Sequence, residues 1–102
     1  MALHEDIMAT LQNNLDALRR HKVRKIGLFG SAARKEAGSG SDLDFLVEFE
    51  EKSFDNYMDL KFFLEDLFGR KVDLVIEGTI KPALRAKILQ ETIYAPGLSS
   101  LS

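Results

Sequence analysis

Apolar residues recur along the first part of the chain at the spacing of an α-helix. The intervals are four, four, four and three in the series Leu3, Ile7, Leu11, Leu15 and Leu18. Residues spaced in this way lie on one stripe of a helix, and such a stripe is normally buried in the core. We therefore expect a helix from the beginning of the chain to about His21.

Later segments have the character of β-strands. Val23 and Ile26 to Phe29 form a short apolar run that ends at Gly30-Ser31, which is typical of a buried strand that stops at a turn. From Asp42 to Phe49 apolar and polar residues largely alternate, and this period of two predicts a strand with one apolar face. Val72 to Ile76 is rich in β-branched residues, and Ile93-Tyr94 adds a short strand.

Three further helices are expected. Good helix formers occupy Ala32 to Ala37, before the Gly-Ser loop of residues 38–41. A second helix runs over Phe54 to Phe68 and ends at Gly69, a typical C-cap, and Pro82 suits the first turn of a last helix through Gln90. The order of elements predicts an α/β (α+β) domain, in which a small mixed sheet of three to four strands packs with about four helices.

Length and composition narrow the possible functions. A chain of 102 residues is expected to form one domain, over residues 1–97, with a C-terminal tail at 98–102. The absence of cysteine excludes disulfides, thiolate nucleophiles and cysteine-ligated zinc. We find no signal peptide and no apolar run of the roughly 20 residues that cross a bilayer, so a cytoplasmic protein with no membrane contact is expected. The net charge of -2 argues against nucleic acid as a partner.

Two aspartates open the alternating strand, and they indicate a metal site. Asp42 and Asp44 stand at i and i+2, so they project from one side of a strand, with Cα atoms about 6 to 7 Å apart. Two carboxylates this close repel each other unless a proton or a cation intervenes, and oxygen ligands favour Mg²⁺ or Mn²⁺ over zinc. Asp73 has the parity to join them, because Val72 and Leu74 must face the core. Three such acids could hold two metal ions.

A candidate phosphate site lies beside these acids. Gly30 at the end of a strand lets a ligand approach the backbone closely, and Ser31 can cap the following helix, whose free N–H groups attract phosphate. The combination predicts a nucleoside triphosphate, with Ser31 and Arg34 on its phosphates and the paired acids on its metal. The expected chemistry is in-line attack on the α-phosphorus with release of pyrophosphate, and Asp73 is the candidate general base or ligand of the activating metal.

A simpler interpretation is that the Gly-Ser segment is a plain loop and that Asp42 only caps a turn. It leaves Asp44 and Asp73 unexplained, since aspartate is depleted inside strands. Other nucleotide motifs do not fit, because the sequence has no Gly-Lys-Ser/Thr phosphate-binding loop.

The same residues resemble the polymerase-beta-type nucleotidyltransferase superfamily. The shared features are Gly-Ser, ten residues, Asp-x-Asp and a third Asp in a later strand. The short chain is similar to the minimal (MNT, MntA-like) branch, and the segment from Ile80 to Tyr94 is similar to the closing helix of that family. Lys35 departs from the pattern, since family members often have glycine after the arginine, and its role stays open.

The resemblance implies a role for each residue at a matching position. Nucleotide-binding residues would be Gly30, Ser31 and Arg34, and metal-binding and catalytic residues would be Asp42, Asp44 and Asp73. It also implies ATP as the donor and Mg²⁺, as two ions, as the cofactor. The minimal branch resembles antitoxins that pair with HEPN-domain ribonuclease toxins and adenylylate a toxin tyrosine. The resemblance therefore implies a HEPN toxin as the partner.

Two other functions stay open. A free-standing enzyme that modifies a small molecule such as an antibiotic would transfer nucleotide without a protein partner. A binding module that silences a toxin by contact alone would still neutralise it after both Asp42 and Asp44 are replaced.

Two further clusters of side chains have ordinary structural explanations. Basic residues gather at the end of the first helix and the start of the first strand, and we expect them to complement the helix dipole and face solvent: Arg19, Arg20, His21, Lys22, Arg24 and Lys25. The helix over Phe54 to Phe68 carries more apolar surface than the ~100° stripe that a surface helix buries. Core packing and contact with a partner are equally good explanations for that excess.

Overall fold

The computed structural model of the chain describes residues 3–30, 42–51 and 53–96. The helices in this part of the chain are α1 (Leu3–Gln12), α2 (Leu15–Arg20), α3 (Phe54–Phe68) and α4 (Pro82–Glu91). The strands are β1 (Val23–Phe29), β2 (Leu43–Phe49), β3 (Val72–Ile76) and β4 (Ile93–Tyr94), and a 3-10 turn at Glu77–Thr79 lies between β3 and α4. The helix predicted over residues 32–37 and the loop after it lie outside the described residues.

The first predicted helix is divided in two, so the expectation of one helix to about His21 is wrong. Asn13 and Asn14 form a turn between α1 and α2. Asn14 has φ -125° and ψ 26°, outside the helical region, and its side-chain amide donates to the carbonyl of Thr10 at 2.8 Å. Asparagine competes with the helical backbone for hydrogen bonds, which accounts for the interruption. The apolar stripe is nevertheless buried on both sides of it, at Ile7, Leu11 and Leu18.

The strands form one mixed sheet, which confirms the predicted fold class. The order of the four strands across the sheet is β3-β2-β1-β4. β1 is antiparallel to both of its neighbours, whereas β2 and β3 are parallel. A parallel pair needs a long crossover, and α3 lies in the connection from β2 to β3.

One face of the sheet packs against helices and contains the core. The alternation predicted for β2 is confirmed, because Leu43, Phe45, Val47 and Phe49 are all buried in the core cluster. Leu60 and Leu64 of α3 are fully buried against the same cluster. Residues at the intervening positions of β2, Asp44, Leu46 and Glu48, therefore point to the opposite side, which we call the second face.

Helix α3 has the bounds that the sequence predicts. Ser53 caps its first turn by accepting a hydrogen bond from the Asn56 N–H at 3.1 Å, and Gly69 ends it in the left-handed conformation with φ 62°. Its excess of apolar residues divides between two environments. Tyr57, Phe63 and Phe68 pack against the core, whereas Phe54 and Phe62 are 75% and 58% exposed.

Side chains of α3 also bind the outer edge of β3. The Glu65 carboxylate accepts a hydrogen bond from the Val72 N–H at 3.1 Å, and the Tyr57 hydroxyl donates to the Leu74 carbonyl at 2.8 Å. In a strand, alternate residues direct their backbone groups to opposite sides, so Val72 and Leu74 present theirs away from β2. α3 therefore supplies partners for backbone groups that β2 does not reach.

None of the helices in the described ranges is long and apolar enough to span a bilayer.

Candidate active site

Gly30 and Asp44 come together where β1 ends beside β2. Phe29 is the Cα partner of Asp44, and Gly30 follows it with φ +77°, a conformation that favours glycine. A Cβ on residue 30 would overlap the carboxylate of Asp44. The sequence therefore needs glycine here for two reasons, its backbone conformation and the space that Asp44 occupies.

The three predicted acids lie at the same end of the sheet. Asp44 and Asp73 are Cα partners in the parallel ladder of β2 and β3, so their Cα atoms are roughly 4.8 Å apart. Asp42 directly precedes β2 and is two residues from Asp44, which by alternation puts both on the second face. Asp44 is half-buried, whereas Asp42 and Asp73 are exposed. The parity inferred for Asp73 from its apolar neighbours is confirmed by this register.

The acids are suited to bind a divalent ion at a site where other ligands come from water and substrate. Among the described residues, no three Asp, Glu or His side chains converge closely enough to make a ready-made metal cage. Mg²⁺ is usually held by one or two carboxylates together with water and substrate phosphates, and it does not require an all-protein cage. Asp44 and Asp73, opposed on neighbouring strands, supply carboxylate oxygens, which are the ligands it prefers.

Ser31 and Arg34 lie outside the described residues, and so does Lys35. Their assignment to the phosphates stays a prediction.

Glu91 is a residue of this region that the sequence analysis missed. It is the last residue of α4, and its carboxylate accepts a hydrogen bond from the Gly30 N–H at 3.2 Å. The two residues are 61 positions apart in sequence. A glutamate at the end of a helix has no distinctive local pattern, and only the pairing of β4 with β1 brings it to the site.

A second polar cluster lies on the second face beyond Leu46, towards the other ends of β2 and β3. The Tyr94 hydroxyl donates to Glu77 at 3.2 Å, and Glu77 forms an ion pair with Arg85 at 3.5 Å. Burial, followed by the negative charge of Glu77 and its hydrogen bond, raises the pKa of Tyr94 to about 12. A cavity of about 240 Å³ adjoins the cluster and is lined by Glu48, Phe49, Ile76, Glu77, Gly78 and Arg85.

Several residues of the basic cluster make contacts within the chain. Arg19 pairs with Asp16 at 3.3 Å, and Arg24 pairs with Glu48 at 3.6 Å. The Lys25 ammonium lies 4.6 Å from the centroid of the Tyr94 ring. These contacts agree with the structural explanation given for the cluster.

Paired carboxylates at strand ends, beside a glycine turn, are suited to holding a metal-bound phosphate for transfer. Residues 11–95 match the model of the nucleotidyltransferase domain family, and the chain belongs to this family. It is therefore a nucleotidyltransferase by class.

Within the family, the chain is similar to protein adenylyltransferases. It is 41% identical to protein adenylyltransferase MntA of Thermococcus cleftensis over 92 residues, which cover 88% of this chain and 93% of that protein. The solved structure of a candidate minimal nucleotidyltransferase is 42% identical, with a TM-score of 0.76 and coverage of 91% of this chain and 95% of that chain.

A third comparison concerns the fold alone. A chain in the solved complex of a tri-AMPylated Shewanella oneidensis HEPN toxin with an MNT antitoxin has a TM-score of 0.63 at 21% identity. The match covers 87% of this chain and 71% of that chain.

Proposed function

We propose that the protein transfers AMP from ATP to a tyrosine hydroxyl of a HEPN-domain toxin, in a Mg²⁺-dependent reaction, and that it acts in this way as an antitoxin. The observation that carries the proposal is the opposed pair of Asp44 and Asp73 next to the Gly30 turn. The identity to a protein adenylyltransferase over nearly the whole length of both chains supports AMP as the transferred group. The likeness to a complex that contains an AMPylated HEPN toxin supports the class of acceptor.

The reaction joins the acceptor oxygen to the α-phosphorus and breaks the bond between that phosphorus and the α,β-bridging oxygen. Pyrophosphate leaves with the electron pair of the broken bond. Mg²⁺, when bound, would stabilise negative charge on the entering and departing oxygens. In this proposal Asp42 and Asp44 hold the ions, and Ser31 and Arg34 bind the phosphates.

Asp73 is suited to receive the proton of the acceptor hydroxyl. It is exposed on β3, which is one of the two outer strands of the sheet in the described part of the chain, so a macromolecular acceptor can approach it from solvent. Asp44 is half-buried between β1 and β3, which suits a ligand whose position must not change during transfer. We accordingly assign Asp73 the role of general base, or of ligand to the activating ion.

The proposal is tested by incubating the protein with Mg²⁺, labelled ATP and a purified HEPN toxin, followed by mass analysis of the toxin. We expect the toxin to gain the mass of AMP on tyrosine. Asp44→Asn should lower the rate of transfer by at least about a hundredfold, because it weakens the hold on the metal. Asp16→Asn, which removes an exposed carboxylate on α2, is the matched control and should transfer at the normal rate.

Other outcomes would replace the proposal with one of its alternatives. Toxin that stays unmodified but is still neutralised by the Asp44→Asn variant would indicate inhibition by binding alone. Transfer to a small hydroxyl compound in the absence of any toxin would indicate a free-standing enzyme. Full activity of Asp44→Asn would refute the metal assignment.

A further inference from the structure

The paired residues of β1 and β4 end before Gly30. Gly27 pairs with Tyr94 and Leu28 with Ile93, and the Ala95 N–H donates to the Ile26 carbonyl at 2.9 Å. In an antiparallel ladder, every second pair is joined by hydrogen bonds. Ile26 with Ala95 is such a pair, and Leu28 with Ile93 is the next.

The pair after these would be Gly30 with Glu91, because each step forward on β1 is a step back on β4. Glu91 cannot supply its backbone carbonyl in the manner of a strand, since it is the last residue of helix α4. Its side chain takes that place, and the carboxylate accepts the Gly30 N–H at 3.2 Å. The ladder is thus extended by one hydrogen bond, made by a charged side chain.

This bond acts on a residue that is constrained from its other side as well. Gly30 has φ +77°, and the Asp44 carboxylate occupies the space where a Cβ would lie. Glycine has more backbone freedom than any other residue, so a fixed position for it requires external contacts. Glu91, from the β4 side, and Asp44, from the β2 side, provide such contacts at the residue that directly precedes Ser31 in sequence.

We propose that Glu91 is a positioning residue for nucleotide binding. Its carboxylate holds the Gly30 peptide in the conformation that receives the triphosphate, so that the turn is in place before the nucleotide arrives. It acts through Gly30 and does not itself touch the nucleotide or the metal. The inference rests on the proposed function, because it assumes that the Gly30 turn receives a nucleoside triphosphate.

The test uses three variants of the full chain. Glu91→Ala removes the acceptor, Glu91→Gln keeps an acceptor oxygen without the charge, and Gln90→Ala changes an exposed neighbour on the same helix as the control. The first measurement is amide hydrogen exchange of Gly30 without ligand. The second is the Kd for a non-hydrolysable ATP analogue, measured at a limiting and at a saturating Mg²⁺ concentration, and the third is the KM for ATP together with kcat.

We expect Glu91→Ala to accelerate exchange of the Gly30 amide and to weaken binding of the analogue by about tenfold, the size of one charge-assisted hydrogen bond. The KM for ATP should rise more than kcat falls. Glu91→Gln should restore most of the protection and affinity, since its amide oxygen can accept the same bond, and Gln90→Ala should match the wild type.

Each contrary result has a distinct meaning. Equal affinity for the analogue in the wild type and Glu91→Ala would overturn the positioning role. If Glu91→Gln bound the analogue as weakly as Glu91→Ala, and if more Mg²⁺ restored binding by both variants, Glu91 would be a metal ligand. That result would also overturn the positioning role. A wild type that binds the analogue but modifies no toxin would refute the proposed function and leave the effect on binding as support for Glu91. A wild type that binds no analogue would overturn both.

Discussion

Glycine is required at position 30 for two reasons, its backbone conformation and a close contact, whereas at position 69 only the conformation requires it. The φ of +77° at Gly30 needs a residue without a Cβ, and the lack of a side chain there leaves room for the Asp44 carboxylate. Gly69, at the end of α3, has φ +62° and nothing within 4 Å of the position a Cβ would take. The two glycines therefore allow the cost of the conformation to be separated from the cost of the contact.

Gly30→Ala and Gly69→Ala should differ in both stability and binding. Each substitution places alanine in the left-handed region, which costs about 1 kcal/mol of the free energy of unfolding. Gly30→Ala must also displace Asp44, so we expect a total loss of about 2 kcal/mol or more and a large loss of affinity for Mg²⁺ with nucleotide. Urea denaturation and titration with an ATP analogue measure the two effects. Equal behaviour of the two variants would contradict the contact described for Gly30.

The candidate site was predictable from the sequence where its geometry is local. Asp42 and Asp44 share a strand, and the parity of Asp73 follows from its apolar neighbours, so their common face could be inferred without coordinates. Glu91 could not be inferred, because its contact depends on which strand β4 joins and in what register. A two-residue strand carries too little pattern to specify either.

Among the helices, α3 shows how one helix can serve both the core and the surface. Leu60 is fully buried, while Phe62, two residues later, is 58% exposed. Residues two apart on a helix point in widely different directions, so this contrast is what the periodicity requires. The excess of apolar residues in the sequence therefore reflects a buried stripe with additional aromatic groups outside it.

Leu60→Ala and Phe62→Ala should consequently have very different effects on stability. Leu60→Ala opens a cavity in the core and should lower the free energy of unfolding by about 2 to 5 kcal/mol. Phe62→Ala removes a larger side chain but should change it by no more than about 0.5 kcal/mol, since most of that side chain is already in water. Thermal and urea unfolding of the isolated protein provide the comparison. A larger loss for Phe62→Ala would mean that the helix is rotated from the orientation described.

The bounds of most elements follow from local signals, whereas the division of the first helix does not. Ser53, Gly69 and Pro82 mark ends of α3 and α4 by capping and by backbone restriction, and the structure has these ends. Asn13 and Asn14 interrupt the helix, although the helical spacing of apolar residues in the sequence continues from α1 into α2. The spacing of apolar residues predicts which side of a helix is buried. It does not predict a turn after which the same side of the chain stays buried.

In the molecule as a whole, the two faces of the sheet carry different kinds of side chain. The first face packs against helices, and the second carries the acids at one end and the cluster of Tyr94, Glu77 and Arg85 at the other. That cluster joins β4 to the 3-10 turn and to α4. It thereby ties the last part of the chain to β3, and its protonation state should affect the stability of the entire fold.

The free energy of unfolding should fall at alkaline pH because the phenol of Tyr94 ionises. Its pKa is raised from 10.0 to about 12, chiefly by burial and then by Glu77, so the folded state favours the protonated phenol. This contribution is complete below about pH 10 and is lost as the pH rises through about 12. The free energy of unfolding of the wild type, relative to Tyr94→Phe, should therefore decrease between these two values.

Ultraviolet absorbance provides a direct check of the ionisation itself. Tyr94→Phe should lose the phenolate absorbance step near pH 12 that the wild type shows. A stability difference between wild type and Tyr94→Phe that is constant from pH 9 to pH 12 would contradict the contacts described for Tyr94.

The hydrogen bonds from α3 to the outer edge of β3 have a consequence for self-association. An outer strand with unoccupied backbone groups is a template onto which another chain can add, and growth by such addition leads to fibres. Glu65 and Tyr57 already occupy the Val72 N–H and the Leu74 carbonyl. A foreign strand would have to displace both side chains before it could bind, so this border of the sheet is protected from aggregation by its own helix.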